Sequence, residues 1–91
     1  MTRYRQGYRV EQLARKQLEE NGYTVFRTAG SRGIVDLIAV DINIVRFIQV
    51  KKGQISARER QRLEQWKETI PENCTVEIWV KKPKKFYITK L

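Results

Sequence analysis

The sequence predicts an α/β fold, a mixed central sheet flanked by helices, built in the order α-β-β-β-α-β-β. Two segments carry apolar residues at helical spacing, and five shorter ones carry β-branched and aromatic residues in runs of strand length. The 91 residues suffice for one small core and are too few for a second, so a single domain spanning 1–91 is expected.

The first helix is expected from about Tyr4 to Asn21. Val10, Leu13, Ala14, Gln17 and Leu18 follow one stripe, and Asn21-Gly22 supplies a stop that can turn left-handed. Glu11 lies three residues before Ala14 and seven before Leu18, at the inward-facing edge of that stripe. Its alternative is an exposed pair with Arg15, four residues on, which would contribute only about 0.3 kcal/mol. Tyr23 to Arg27 reads as a short strand with Tyr23, Val25 and Arg27 on one face. The glycine-rich loop from Thr28 to Gly33 follows. With Ser31, Arg27 and Arg32 it can hold a phosphate through backbone N–H groups and guanidinium forks, although its spacing is not that of a nucleotide-binding loop.

Ile34 to Val40 and Arg46 to Lys52 form the central pair of strands, joined by the turn Asp41-Ile42-Asn43-Ile44. Alternation puts Asp36, Ile38 and Val40 on one face of the first strand, and Phe47, Gln49 and Lys51 on one face of the second. With two central turn residues, Asp36 falls opposite Gln49, and Lys51 lies one step further along. A carboxylate, an amide and an ammonium on an otherwise apolar face are costly unless they satisfy one another or bind something, which marks them as a candidate site.

After this hairpin, Ser56-Ala57-Arg58-Glu59 is a capping box, with Ser56 capping a helix and Glu59 reaching back to it. The helix should run to about Thr69, ending before Pro71, with Leu63, Trp66 and Ile70 as its apolar seam. Arg58 and Arg62, on another face, are candidate DNA contacts or a solvated exterior. Thr75 to Val80 and Lys85 to Thr89 complete the chain as two alternating strands. The turn between them is rich in lysine and carries Pro83, features that also blunt a sheet edge.

Composition bounds the chemistry. A formal charge of +9 and a pI near 10.1 call for a polyanionic partner, nucleic acid first, with an anionic membrane surface as the alternative. No apolar run reaches membrane-spanning length and no signal-peptide core follows Met1, so a soluble, cytoplasmic protein is expected. One cysteine, Cys74, leaves no internal disulfide or cysteine-based zinc cage, and the lack of histidine excludes a serine–histidine or cysteine–histidine nucleophile. Carboxylates, amides, lysines and a hard metal ion remain. Asp36, the Gln49 oxygen, the Val50 carbonyl and Glu11 offer oxygen ligands suited to Mg²⁺ or Mn²⁺, and Lys51 can orient water or stabilise charge on a phosphate.

Tyr4-Arg5-Gln6-Gly7, Glu11, Gly22 to Ser31, Val35 to Ala39 and Ile48-Gln49-Val50-Lys51 together resemble the archaeal Holliday junction resolvases of the PD-(D/E)xK nuclease superfamily, relatives of which occur in viruses. The likeness covers roughly the first 55 residues in order; beyond them only the topology matches. It implies a restriction-endonuclease-like fold and a metal-dependent DNA endonuclease that resolves four-way junctions as a homodimer. Trp66, Trp79 and the last hairpin are candidate interface. Glu11 then matches the helix carboxylate, Asp36 the metal-binding aspartate, Lys51 the motif lysine, Arg5 and Arg27 the basic residues near the scissile phosphate, and Ser31 the loop serine. Gln49 stands where the family usually has glutamate, a Gln-x-Lys form that resembles some Mrr-type restriction nucleases. Val35 stands where the superfamily name has proline. The alternatives are a Mrr-like or nicking nuclease and a catalytically silent DNA-binding module.

Overall fold

The computed structural model describes residues 3–28 and 34–91, the first four of these by backbone alone. Its elements follow the expected order: α1 (Arg3–Glu20), β1 (Thr24–Arg27), β2 (Leu37–Val40), β3 (Val45–Lys51), α2 (Ala57–Lys67), β4 (Cys74–Lys81) and β5 (Phe86–Lys90). The strands lie side by side in chain order in one sheet, antiparallel except for the β3–β4 pair. A parallel pair needs a crossover, and α2 supplies it.

α1 ends as its sequence requires. Gly22 takes φ +91°, the Tyr23 N–H donates to the Leu18 carbonyl and the Gly22 N–H to that of Glu19, which together make a Schellman closure. Tyr23 then packs on the cluster that contains Leu18. α2 starts at Ser56, whose hydroxyl accepts the Glu59 N–H at 3.1 Å. Its last turns close on Gln65, Trp66 and Lys67 just before Pro71.

The helices cover opposite faces of the sheet. Val10, Ala14 and Leu18 of α1 pack with Val25, Leu37, Ala39, Ile48, Val50 and Trp79. Leu63 of α2, with Trp66 and Ile70, packs with Val35, Ile38, Phe47, Val76 and Ile78. This explains two departures from the sequence reading. β4 was expected to be half-buried, yet Thr75 through Trp79 are all buried, because it lies inside the sheet with a core on each side. Leu13, placed on the α1 stripe, is 48 % exposed while Val10 and Ala14 of the same turn are buried, so it lies on the side of the helix turned away from the core. Trp79 is 1 % exposed and stacks at 5.3 Å on Phe86, so it belongs to the core and is withdrawn as an interface residue. Among the described residues no helix is long and apolar enough to cross a membrane.

Candidate active site

The predicted register of the central hairpin holds. Leu37 faces Ile48, Val40 faces Val45, and Asp41 and Ile44 exchange both backbone bonds around a two-residue turn. Asp36 itself sits just ahead of β2, in a bend. Thr28 donates its N–H to the Asp36 carbonyl (3.0 Å) and its hydroxyl to that of Val35 (2.5 Å). The Asp36 N–H donates to the Ile48 carbonyl (2.9 Å), and its Oδ2 accepts the Val50 N–H (2.9 Å). Asp36 and Leu37 thus both address Ile48, as in a β-bulge, and the carboxylate occupies the place of a main-chain acceptor in the ladder.

The bulge breaks the alternation. Val35 packs on the α2 side and Leu37 on the α1 side, although residues two apart in a regular strand share a face. The expected strand over Ile34–Val40 therefore begins only at Leu37, and Asp36 turns toward the ladder instead of sharing the Ile38 face.

Topology collects charged groups at this end of the sheet. β1, β3 and β4 run in one direction, so their C-terminal ends bring Arg27, Lys51 and Lys81 to the edge where β2 begins. Glu11, on α1, takes the Arg27 Nε on Oε1 at 2.9 Å, and the Arg27 guanidinium lies 5.0 Å from the Tyr8 ring. Glu11 is accordingly inward-facing, and the pair with Arg15 does not form; Arg15 contacts Glu19 instead. Burial raises the Asp36 carboxyl above its usual range. The Val50 N–H opposes this, Glu11 adds to it, and the charges of Lys51 and Arg27 act against it. A site that penalises its own carboxylate's charge is one that a cation would relieve.

Lys51 follows Phe47 and Gln49 on the α2 side of β3. Its Nζ contacts Glu59 Oε2 at 2.6 Å, a contact that sequence reasoning missed. Glu59 thus has two uses: its other carboxylate oxygen lies 3.2 Å from the Ser56 hydroxyl, while the lysine holds its carboxyl below the ordinary range. The signal available was the capping box, which puts a carboxylate on the first turn of the helix entered straight after β3.

Asp36 Oδ1, Glu11 Oε2 and the Gln49 amide oxygen carry no hydrogen bond among the described residues. These are hard donors, and with phosphate oxygens added they fit a Mg²⁺- or Mn²⁺-like cation better than a softer metal. No group of three or more His, Cys, Asp or Glu forms among the described residues, so the carboxylate count is low, as Gln49 implies. Val50 meets the site through its N–H on Asp36. Arg58 and Arg62 are exposed, one turn apart on α2. Ser31, Arg32 and the side chain of Arg5 lie outside the described residues.

The family model for archaeal Holliday junction resolvases matches residues 2–70, which includes α1, the bulge, the central hairpin and α2. Among curated proteins none matches. A solved structure of Hjc, a Holliday junction resolvase from the archaeal hyperthermophile Archaeoglobus fulgidus, superposes with a TM-score of 0.75 at 22 % identity, covering 93 % of this chain and 72 % of that one. That likeness carries the fold, a mixed sheet between two helices, and the family match carries the rest. Glu11, Arg27, Asp36, Gln49, Lys51 and Glu59 thus lie within the matched stretch, and the chain belongs to the archaeal Holliday junction resolvase family.

Proposed function

We propose that this open sheet end hydrolyses a phosphodiester of a four-way DNA junction with Mg²⁺ or Mn²⁺ as cofactor. The observation that carries the reading is the Asp36 bulge, which keeps one carboxylate oxygen fixed on the Val50 N–H and leaves the other without a hydrogen bond among the described residues, within the field of Glu11, Arg27 and Lys51. Asp36, Glu11 and the Gln49 oxygen would hold the cation, with the Val50 carbonyl adjoining them. When bound, the cation neutralises phosphate charge and lowers the pKa of a water. Arg27, fixed between Glu11 and Tyr8, presents its guanidinium to the phosphate. Lys51 donates to a phosphate oxygen or orients the attacking water, and so stabilises charge that grows only in the transition state.

Two cuts placed symmetrically across a junction call for two such sites related by a two-fold axis, so the working form is a homodimer. With Trp79 in the core, half-buried Trp66 and β5, whose Tyr87 and Ile88 are exposed on its two opposite faces, remain for the contact. The enzyme acts inside the cell, where branched DNA arises. The test is cleavage of an end-labelled four-way junction with Mg²⁺, Mn²⁺, Ca²⁺ or EDTA, beside a linear duplex of the same arms. Paired cuts in the junction alone, with Mg²⁺ or Mn²⁺, are expected. Equal cutting of the duplex would move the reading to a Mrr-like nuclease. Gln49 favours a second reading, a junction-binding module without cleavage, and tight binding with no cut in any metal would establish it.

A further inference from the structure

Lys51 has two carboxylates within electrostatic reach, Asp36 and Glu59, and its ammonium contacts Glu59. We propose that Glu59, on the first turn of α2, is the positioning residue for Lys51, drawing its ammonium to the α2 side of β3 so that Asp36 stays open to a cation. The inference rests on the proposed nuclease reading of this sheet end and adds to it a residue and a role.

The geometry behind it begins with α2. Ser56 takes the Glu59 N–H at 3.1 Å and its hydroxyl lies 3.2 Å from Glu59 Oε1, so the carboxylate is anchored on one oxygen. The other, Oε2, is left for Lys51 at 2.6 Å. The positive end of the helix favours a carboxylate on this turn. On the Asp36 side, Oδ2 is engaged by the Val50 N–H, and Oδ1 has no hydrogen-bond partner among the described residues. A lysine released from Glu59 would be drawn to that oxygen, the remaining carboxylate whose field it shares. It would then neutralise a metal ligand and lose its own place beside the phosphate. Gln49 makes this competition matter more: its amide is neutral, so Asp36 carries a larger share of the attraction for the cation.

The test uses the full chain with Mn²⁺ as the probe. Glu59→Gln keeps the shape and an oxygen for Ser56 but removes the charge. It is expected to weaken Mn²⁺ binding without DNA about tenfold, measured by water-proton relaxation, and to raise the Mn²⁺ concentration for half-maximal cleavage in parallel. At saturating Mn²⁺, kcat should stay roughly tenfold low while KM for the junction moves less than about twofold. Glu59→Asp should recover part of the loss. In a Lys51→Met background, Glu59→Gln should have no further effect on Mn²⁺ binding. The Lys51 ammonium resonance, assigned by its loss in Lys51→Met, should be sharp in the wild type and broadened in Glu59→Gln. Ser56→Ala, which removes the anchor on Glu59 as well as the helix cap, should lower Tm and raise the Mn²⁺ requirement clearly less than Glu59→Gln does, since the Glu59 charge remains beside Lys51. An unchanged Mn²⁺ requirement in Glu59→Gln would overturn the proposal. So would the same loss in the Lys51→Met background, or an equal loss in Ser56→Ala. Were the wild type unable to cut any junction, the nuclease reading would fail, while Mn²⁺ binding and the ammonium resonance would still decide the role of Glu59.

Discussion

The two ends of β3 use similar residues for opposite purposes. At its start, Arg46 faces Glu77, which is 3 % exposed and accepts four hydrogen bonds: two from Arg46 at 2.7 and 2.8 Å, one from Thr75 at 2.6 Å and one from the Trp79 ring at 3.0 Å. The rings of Tyr23 and Trp79 lie 4.9 and 5.6 Å from its guanidinium. Burial pushes the Glu77 carboxyl up, but these donors outweigh it and leave the group below its usual range. At the other end Asp36 takes one backbone N–H, and burial leaves its carboxyl raised. A buried charge whose acceptors are all filled supports the fold. One left with open valences costs stability and waits for a ligand.

The largest expected effect is at the open end. Asp36→Asn or Lys51→Ala should reduce junction cleavage by roughly 10³-fold, with junction binding changed only a few-fold, since affinity comes from the distributed basic surface. Cutting at wild-type rate by either variant would mean that the site lies elsewhere. Asp36→Asn should also stabilise the metal-free protein to urea at neutral pH. A raised folded pKa gives stability that is present below the unfolded value of 3.8 and lost as pH rises through the folded one, so at neutral pH the ionised carboxylate is a burden. The gap to wild type should close as pH falls into the carboxylate range.

The filled end should behave in the opposite way. Glu77→Ala strands Arg46 and is expected to cost about 3 kcal/mol in urea unfolding, while the folded fraction still cleaves junctions. A Glu77→Leu, Arg46→Met double variant should recover most of that loss. Glu77's lowered folded pKa means that its contribution is present above the unfolded value of 4.5 and lost as pH falls through the folded one. Acid midpoints of wild type and the double variant should therefore diverge, and coincident midpoints would show that the network contributes little.

A change of about 1.4 kcal/mol, or tenfold, is expected at Gln49. Gln49→Glu, nearly isosteric, should lower half-saturating Mg²⁺ or Mn²⁺ in the absence of DNA by that factor, whereas Gln49→Leu should cripple cleavage at any metal concentration. If Gln49→Leu cuts like wild type, the amide is no ligand; if only Gln49→Glu cuts, the natural chain binds junctions without cleaving them. The smallest effect is on α2. Neutralising Arg58 and Arg62 together should flatten the log–log salt dependence of junction binding by about one to two units, at roughly 0.9 per duplex phosphate contact. An unchanged slope would make both arginines a solvated exterior.

The chain's own pattern determined most of the architecture. Helical stripes, the Asn21-Gly22 stop, the Ser56 cap and strand-length β-branched runs are local signals, and each element formed within two residues of its expected bounds except β2, which begins only at Leu37. The hairpin register was also local, since a two-residue turn leaves one pairing for Leu37–Val40 with Val45–Ile48; the expected pairing of Asp36 with Gln49 is replaced by the bulge, which sets Asp36 on Ile48 and Val50. One partnership was not read from the sequence: Arg46 shares a face of β3 with Ile48 and Val50, and its partner Glu77 is supplied by the parallel β3–β4 pairing. The tertiary structure alone decided the rest. It set the bulge that turns Asp36 onto the Val50 N–H, the burial of Trp79, the exposure of Leu13, and the crossover that carries Glu59 back to Lys51. Sequence spacing fixes what lies along one element. Which charges meet across the sheet depends on strand order and helix placement, and those are set by burying two apolar faces at once.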